Sequence, residues 1–115
     1  AEQPLNDPPA ALLDEWVELH EEEAERLQKL HGSGAVSLRQ CLQAELDLTE
    51  ARLRRARAID DAAEAREMLQ DIVRLRRQML DYVGKLVETG AAPETQLHDA
   101  EKALLEAELR LKETE

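Results

Sequence analysis

The residues best suited to chemistry are His20, His31, His98, Cys41, Met68, Met79 and the acidic run Glu21-Glu22-Glu23 with Glu25. His20 and His31 stand eleven positions apart, about 16 Å along a helix, too far to share one metal ion within it. The residues three before His20, His31 and His98 are Val17, Gln28 and Thr95, so the Glu-x-x-His pair of a di-iron bundle is missing. Each histidine reads as the border of a core or a helix end. A single cysteine permits no internal disulfide, and Cys41 falls on an apolar seam, as a small buried residue would. Met68 and Met79 lie on the same helical stripe and read as core filler rather than as a copper site. The acidic run could gather a hard cation, but a helix without a ligand-bearing loop coordinates poorly, so a solvated face is expected. No phosphate-cradling glycine loop, nucleophile elbow or zinc motif is present. These residues point to no catalytic, cofactor-binding or metal-binding set, and a non-enzymatic protein without a cofactor is expected.

The elements that must position these residues are helical. Charged residues make up 36% of the chain, apolar residues 43%, and there are only one Trp, one Tyr and no Phe. Such a composition suits long helices around a thin aliphatic core. The net charge of −11 argues against nucleic acid and against an anionic membrane surface, since both call for clustered cations. The one basic patch, Arg52, Arg54, Arg55 and Arg57 followed by Arg74, Arg76 and Arg77, lies among Glu45, Glu50, Asp60, Asp61 and Asp71, so ion pairing accounts for it. No run is apolar enough to span a bilayer, so no membrane insertion is expected. Ala1-Glu2-Gln3 would suit the mature end left by signal cleavage, or a piece trimmed from a longer chain.

Shifted 56 positions, the chain matches itself: Lys29-Leu30 on Lys85-Leu86, Gly34 on Gly90, Gln40 on Gln96, Ala44-Glu45 on Ala100-Glu101, Glu50-Ala51 on Glu106-Ala107. Apolar positions continue upstream as Leu12/Met68, Leu13/Leu69, Trp16/Ile72, Val17/Val73 and Leu19/Leu75. One helical hairpin is used twice, over about 12–54 and 68–110, within a single helical domain of residues 8–115 after a loose tail over 1–7. Asp7 can cap the first helix before Pro8 and Pro9. Gly32 and Gly34 end that helix, and Ser37 with Gln40 offers a capping box to the next. Gly90 is a second stop and Pro93 opens the last helix.

Between them, one stripe of alternating three and four spacings runs from Cys41 through Ala58 and Asp61 to Leu86. Its unbroken phase favours a continuous middle helix over about 38–88, about 75 Å long. The alternative is a four-helix bundle broken near Asp60, where Asp61 and Glu64 can form a capping box. With a continuous helix each end of the molecule is two helices thick. Leu42, Leu46 and Leu53 at one end and Leu69, Val73, Leu80, Val83 and Val87 at the other then lack cover. Each buried Leu or Val contributes about 1.5–3 kcal/mol, so these residues are expected to bind a partner, most simply in a homodimer or higher homo-oligomer.

At the two turns the sequence resembles the TolC-type outer-membrane efflux protein family, in Gly34-Ala35-Val36-Ser37, Cys41-Leu42, Ala44-Glu45, Leu48 and Glu50-Ala51, and again in Gly90-Ala91-Ala92-Pro93, Leu97, Ala100-Glu101, Leu104 and Glu106-Ala107. In that family such hairpins build a periplasmic tunnel whose tips meet the helical hairpin of an adaptor protein. The chain departs from it in length and in lacking strand segments and an aromatic girdle, so it looks like tunnel hairpins without the barrel. The resemblance implies a periplasmic or otherwise exported location, and a helical-hairpin adaptor meeting the tips at residues 31–37 and 89–94.

Taken together, the expectation is an all-α, non-enzymatic scaffold or protein-interaction module of the cell envelope that acts by helix-to-helix association. The alternatives are a periplasmic chaperone, a metal-responsive sensor with histidines brought together between protomers, or a filament subunit whose tips bind head to tail.

Overall fold

Four α-helices, and no strand among the described residues, make up the computed structural model, which describes residues 10–114. They are α1 (Ala10–Gly32), α2 (Leu38–Ala58), α3 (Ala62–Glu88) and α4 (Glu94–Glu113). The cap expected at Asp7 and the tail over 1–7 lie outside the described residues.

The two glycine turns repeat bond for bond at the 56-residue offset. Gly34 N–H donates to His31 O (2.9 Å) and Ala35 N–H to Leu30 O (2.8 Å). Gly90 N–H donates to Val87 O (3.1 Å) and Ala91 N–H to Leu86 O (2.8 Å) in the same way. Both glycines take the left-handed backbone this closure needs, with φ of 82° and 77°. The hydroxyls of Ser33 and Thr89 donate to the carbonyls of Leu30 and Leu86, again 56 positions apart. The restarts also match in backbone, at Ser37 (φ −81°, ψ 160°) and Pro93 (φ −77°, ψ 155°). Ser37 forms the full capping box with Gln40, while Pro93, itself the cap residue, offers no side-chain acceptor.

The continuous helix over 38–88 is not formed, and the break falls at the alternative position. Ile59, Asp60 and Asp61 separate α2 from α3, and the largest dimension of the molecule, 57 Å, is shorter than such a helix would be. The break uses the glycine-turn closure without a glycine. Asp60 N–H donates to Arg57 O (3.2 Å) and Asp61 N–H to Ala56 O (2.9 Å), and Asp60 takes φ of 56°. Aspartate enters this region more readily than most residues because its short polar side chain can bond locally. Asp61 then caps α3, accepting from Glu64 N–H at 3.0 Å. The stripe kept its phase because it joined two seams with different neighbours. Ala44, Leu48 and Ala51 face α1, whereas Leu75 and Tyr82 face α2.

Folding α3 back on α2 fills the core within one chain. Leu42, Leu46 and Leu53 of α2 pack with Met68, Leu69, Ile72, Val73, Leu75, Met79 and Val83 of α3 and with Ala107 of α4. A second cluster joins Val17 and Ala24 of α1 to the opposite side of α2. Apart from Leu80, the residues expected to need a partner are therefore part of this core. Leu42, Leu46, Leu53, Leu69, Val73 and Val83 are buried, and Leu80 and Val87 half-buried. The break supplies the cover that a homodimer was invoked to provide.

Substitutions in the turns report on this closure. Gly90→Ala forces a side chain into the left-handed region and is expected to cost about 1–2 kcal/mol in urea unfolding. Asp60→Gly is expected to raise stability by about 0.5 kcal/mol, and Asp61→Ala to lower it by about 1 kcal/mol through the lost cap. A loss at Asp60→Gly equal to that at Gly90→Ala would contradict a left-handed break.

Candidate functional site

The residues singled out for chemistry do not converge. His20 lies edge-on to Trp16, with ring centroids 5.3 Å apart. His31 Nδ1 is 3.1 Å from Val36 O; a carbonyl only accepts, so Nδ1 carries the proton and pins the first turn. His98 is exposed on α4. Cys41, half-buried between α1 and α2, donates from Sγ to Leu27 O at 3.4 Å. Met68 and Met79 sit in the core. In the acidic run, Glu21 pairs with Arg52 and Glu23 with Arg26. Among the described residues no three of His, Cys, Asp and Glu gather closely enough to hold a metal ion. A hollow of about 550 Å³ at the α2–α3 turn is open and lined by Ala56, Ala62, Ala63 and Ala65, with Arg57, Asp60 and Asp61 among its polar groups. Thr114 supplies a hydroxyl there, and it donates to Leu111 O at 2.7 Å.

The basic patch is mostly engaged in pairs. Arg55 lies between Asp14 and Glu64, Arg74 beside Asp71 and Arg77 beside Glu108, at 3.7–3.8 Å. Exposed pairs of this kind add at most about 1 kcal/mol each. Arg54 lies over the Trp16 ring, with Cζ 5.3 Å from its centroid. One ion pair differs in geometry. Arg110 of α4 grips Glu50 of α2 with both nitrogens, at 2.6 and 3.1 Å, and with Arg39–Gln96 (2.9 Å) it ties α2 beside α4. The hydrogen bond to Glu50 raises the Arg110 pKa above its ordinary value. A raised pKa stabilises the fold below the unfolded value and is lost only as pH climbs through the folded one, so this tie persists at neutral pH.

Among the described residues the exposed large apolar side chains form two groups on the outer helices, besides the single residues Leu38 and Ile59. On α1, Leu12 (56% exposed), Trp16 (37%) and Leu19 (64%) form one stripe. On α4, Leu105 and Leu109, one turn apart, are each 60% exposed. Neither helix packs on the other, so these faces lie at opposite ends of the helix order. In the sequence Leu12, Trp16 and Leu19 flank the three-four spacing of Leu13, Val17, Ala24 and Leu27, which makes the apolar face of the first helix broad. Its breadth was the available signal, since one neighbouring helix covers only part of so wide a stripe. Leu105 and Leu109 lie off the three-four stripe of Leu97, Ala100, Leu104, Ala107 and Leu111 along the last helix.

Leu46→Ala and Leu53→Ala are expected to cost about 2–5 kcal/mol each in urea unfolding. Leu12→Ser and Leu109→Ser should stay within about 0.5 kcal/mol. Equal losses at all four would place the outer leucines in the core.

No family model, no curated protein and no solved structure matches this chain.

Proposed function

We propose that this protein is a non-enzymatic helical interaction module, which binds other helices through the outer faces of α1 and α4. The observation that carries this reading is the pair of exposed apolar stripes, Leu12/Trp16/Leu19 and Leu105/Leu109, on a chain whose core is otherwise satisfied. Side chains at helical spacing on a well-ordered helix present knobs to another helix. The folded chain leaves them uncovered although its inner leucines are fully buried.

The turns are weaker candidates for a partner. The residues in which they resemble efflux-tunnel hairpins also make the closing bonds of Gly34, Ala35, Gly90 and Ala91 and the Ser37 cap. The identity of Gly34, Gly90 and Ser37 thus follows from local folding. The flanks of the bundle have no such local explanation, and burying one exposed leucine contributes about 1.5–3 kcal/mol.

Photocrosslinking in cells tests the reading. A photoreactive phenylalanine analogue at Leu19 or Leu105 is expected to give protein adducts, and at the exposed polar positions Gln43 or Gln70 to give none. Equal yields at all four positions, or none at Leu19 and Leu105, would remove the basis for it.

A further inference from the structure

The 56-residue repeat makes the two outer faces equivalent to the two sides of an interface that the chain already contains. Within the first hairpin, α1 meets α2 through Leu13, Val17 and Ala24; their repeat mates in α3 are Leu69, Val73 and Leu80. Of these, Leu80 borders α4 together with Gly84 and Leu97, so each hairpin is zipped along corresponding positions. Between hairpins, α2 offers Leu42, Leu46, Thr49 and Leu53, all buried, and α3 offers the stripe of Met68, Leu75 and Met79.

Transposed by 56 positions, the α2 side becomes His98, Lys102, Leu105 and Leu109 on α4. All four are exposed. The α3 side becomes Leu12, Leu19 and Glu23 on α1, bordered by Trp16 at the position of Ile72. These are exposed too. The side chains that close the middle of the molecule thus have counterparts at both ends that close nothing within the chain.

The register of the internal interface fixes how the ends would meet. Leu42 lies by Gln78 and Tyr82, and Glu45 by Arg74 and Leu75. Carried over, Leu109 meets Leu12, Leu105 meets Trp16, and Lys102 falls between Glu18 and Glu22. Charge agrees with this placement at Lys102 and opposes it at Glu101, which takes the place of Glu45 and would face Glu18 at the position of Arg74. Among the described residues, Lys102, Glu18 and Glu22 have no ion-pair partner within the chain. His98 would lie beside Glu22 and Arg26, at the positions of Gln78 and Tyr82.

From this correspondence we infer that a second copy of this chain occupies both faces: α4 of one molecule packs antiparallel on α1 of the next, as α2 packs on α3. The contact is heterologous, so it propagates head to tail and gives an open chain of molecules, or a ring where the rotation closes. It uses the flanks of the bundle rather than its turns. It rests on the reading of these faces as docking surfaces and names their occupant.

The test uses the whole chain with Cys41→Ser. One pair of variants carries a single new thiol each, Leu12→Cys or Leu109→Cys. A second pair blocks one face each, Leu12→Glu with Leu19→Glu, or Leu105→Glu with Leu109→Glu, with helicity checked by circular dichroism. In sedimentation across a concentration series, the unblocked chain is expected to exceed two chains in mass, rising with concentration or stopping at a ring of fixed size. Each blocked variant should remain a single chain, and their mixture should stop at a pair. Oxidation should link Leu12→Cys to Leu109→Cys in the mixture, well above either variant alone. Lys102→Glu should weaken association about fivefold or more. A single chain at every concentration, or a Leu12→Cys chain linking mainly to itself, would overturn the inference. Photocrosslinks from Leu19 and Leu105 to other proteins would then leave the docking surfaces standing with a different occupant. Their absence would remove both.

Discussion

A helix in a small domain usually buries one face, and α2 buries two. Ala44, Leu48 and Ala51 pack against α1, while Leu42, Leu46 and Leu53 pack into the larger core with α3 and α4. The small residues on the first face let α1 approach closely, and the leucines on the second fill a wider space. This double burial sets the order of the other helices. α1 must lie on one side of α2, and α3 must return along the other, which requires the chain to turn sharply after Ala58. The bidentate grip of Arg110 on Glu50 then holds α4 beside α2.

The three turns meet that requirement with one backbone solution. Each ends a helix with a left-handed residue whose N–H reaches back three positions, followed by an N–H that reaches back five. Two positions use glycine, and the third uses Asp60 at the junction between the repeats. A duplicated hairpin brings its own internal turn, but a junction is a separate segment and carries no inherited glycine. The aspartate there is tolerated because it takes the left-handed region at modest cost, and Asp61 at once caps the next helix.

A linear arrangement of helices has ends, and the ends inherit the faces of the middle. Capping the ends with polar residues is what stops a repeat array from growing. Here the replacement is partial. Lys102 and Glu23 stand where the internal interface has Leu46 and Met79, yet Leu12, Leu19, Leu105 and Leu109 remain apolar. Glutamates surround the α1 stripe, and the α4 stripe carries Lys102 and His98 with Glu101, Glu106 and Glu108 beside Leu105 and Leu109. The functional reading is confined to surfaces, since among the described residues the hollows gather no convergent reactive groups.

Composition and periodicity determined the helical class, the hairpin repeat and both glycine turns, because these depend on interactions within a few residues: the three-four spacing, the Ser37 and Gln40 cap, and glycine's freedom at Gly34 and Gly90. The break at Asp60 was legible as an alternative through the Asp61 cap, but the unbroken stripe spoke against it. Periodicity records which positions are apolar along a chain and holds no record of which neighbour they face. Only the tertiary structure decided that Leu42, Leu46, Leu53, Leu69, Val73 and Val83 close within one chain, and that Leu12, Trp16, Leu19, Leu105 and Leu109 stay outside. Burial belongs to the arrangement of helices in space, and the same leucine spacing serves a core or a surface according to whether another helix lies across it.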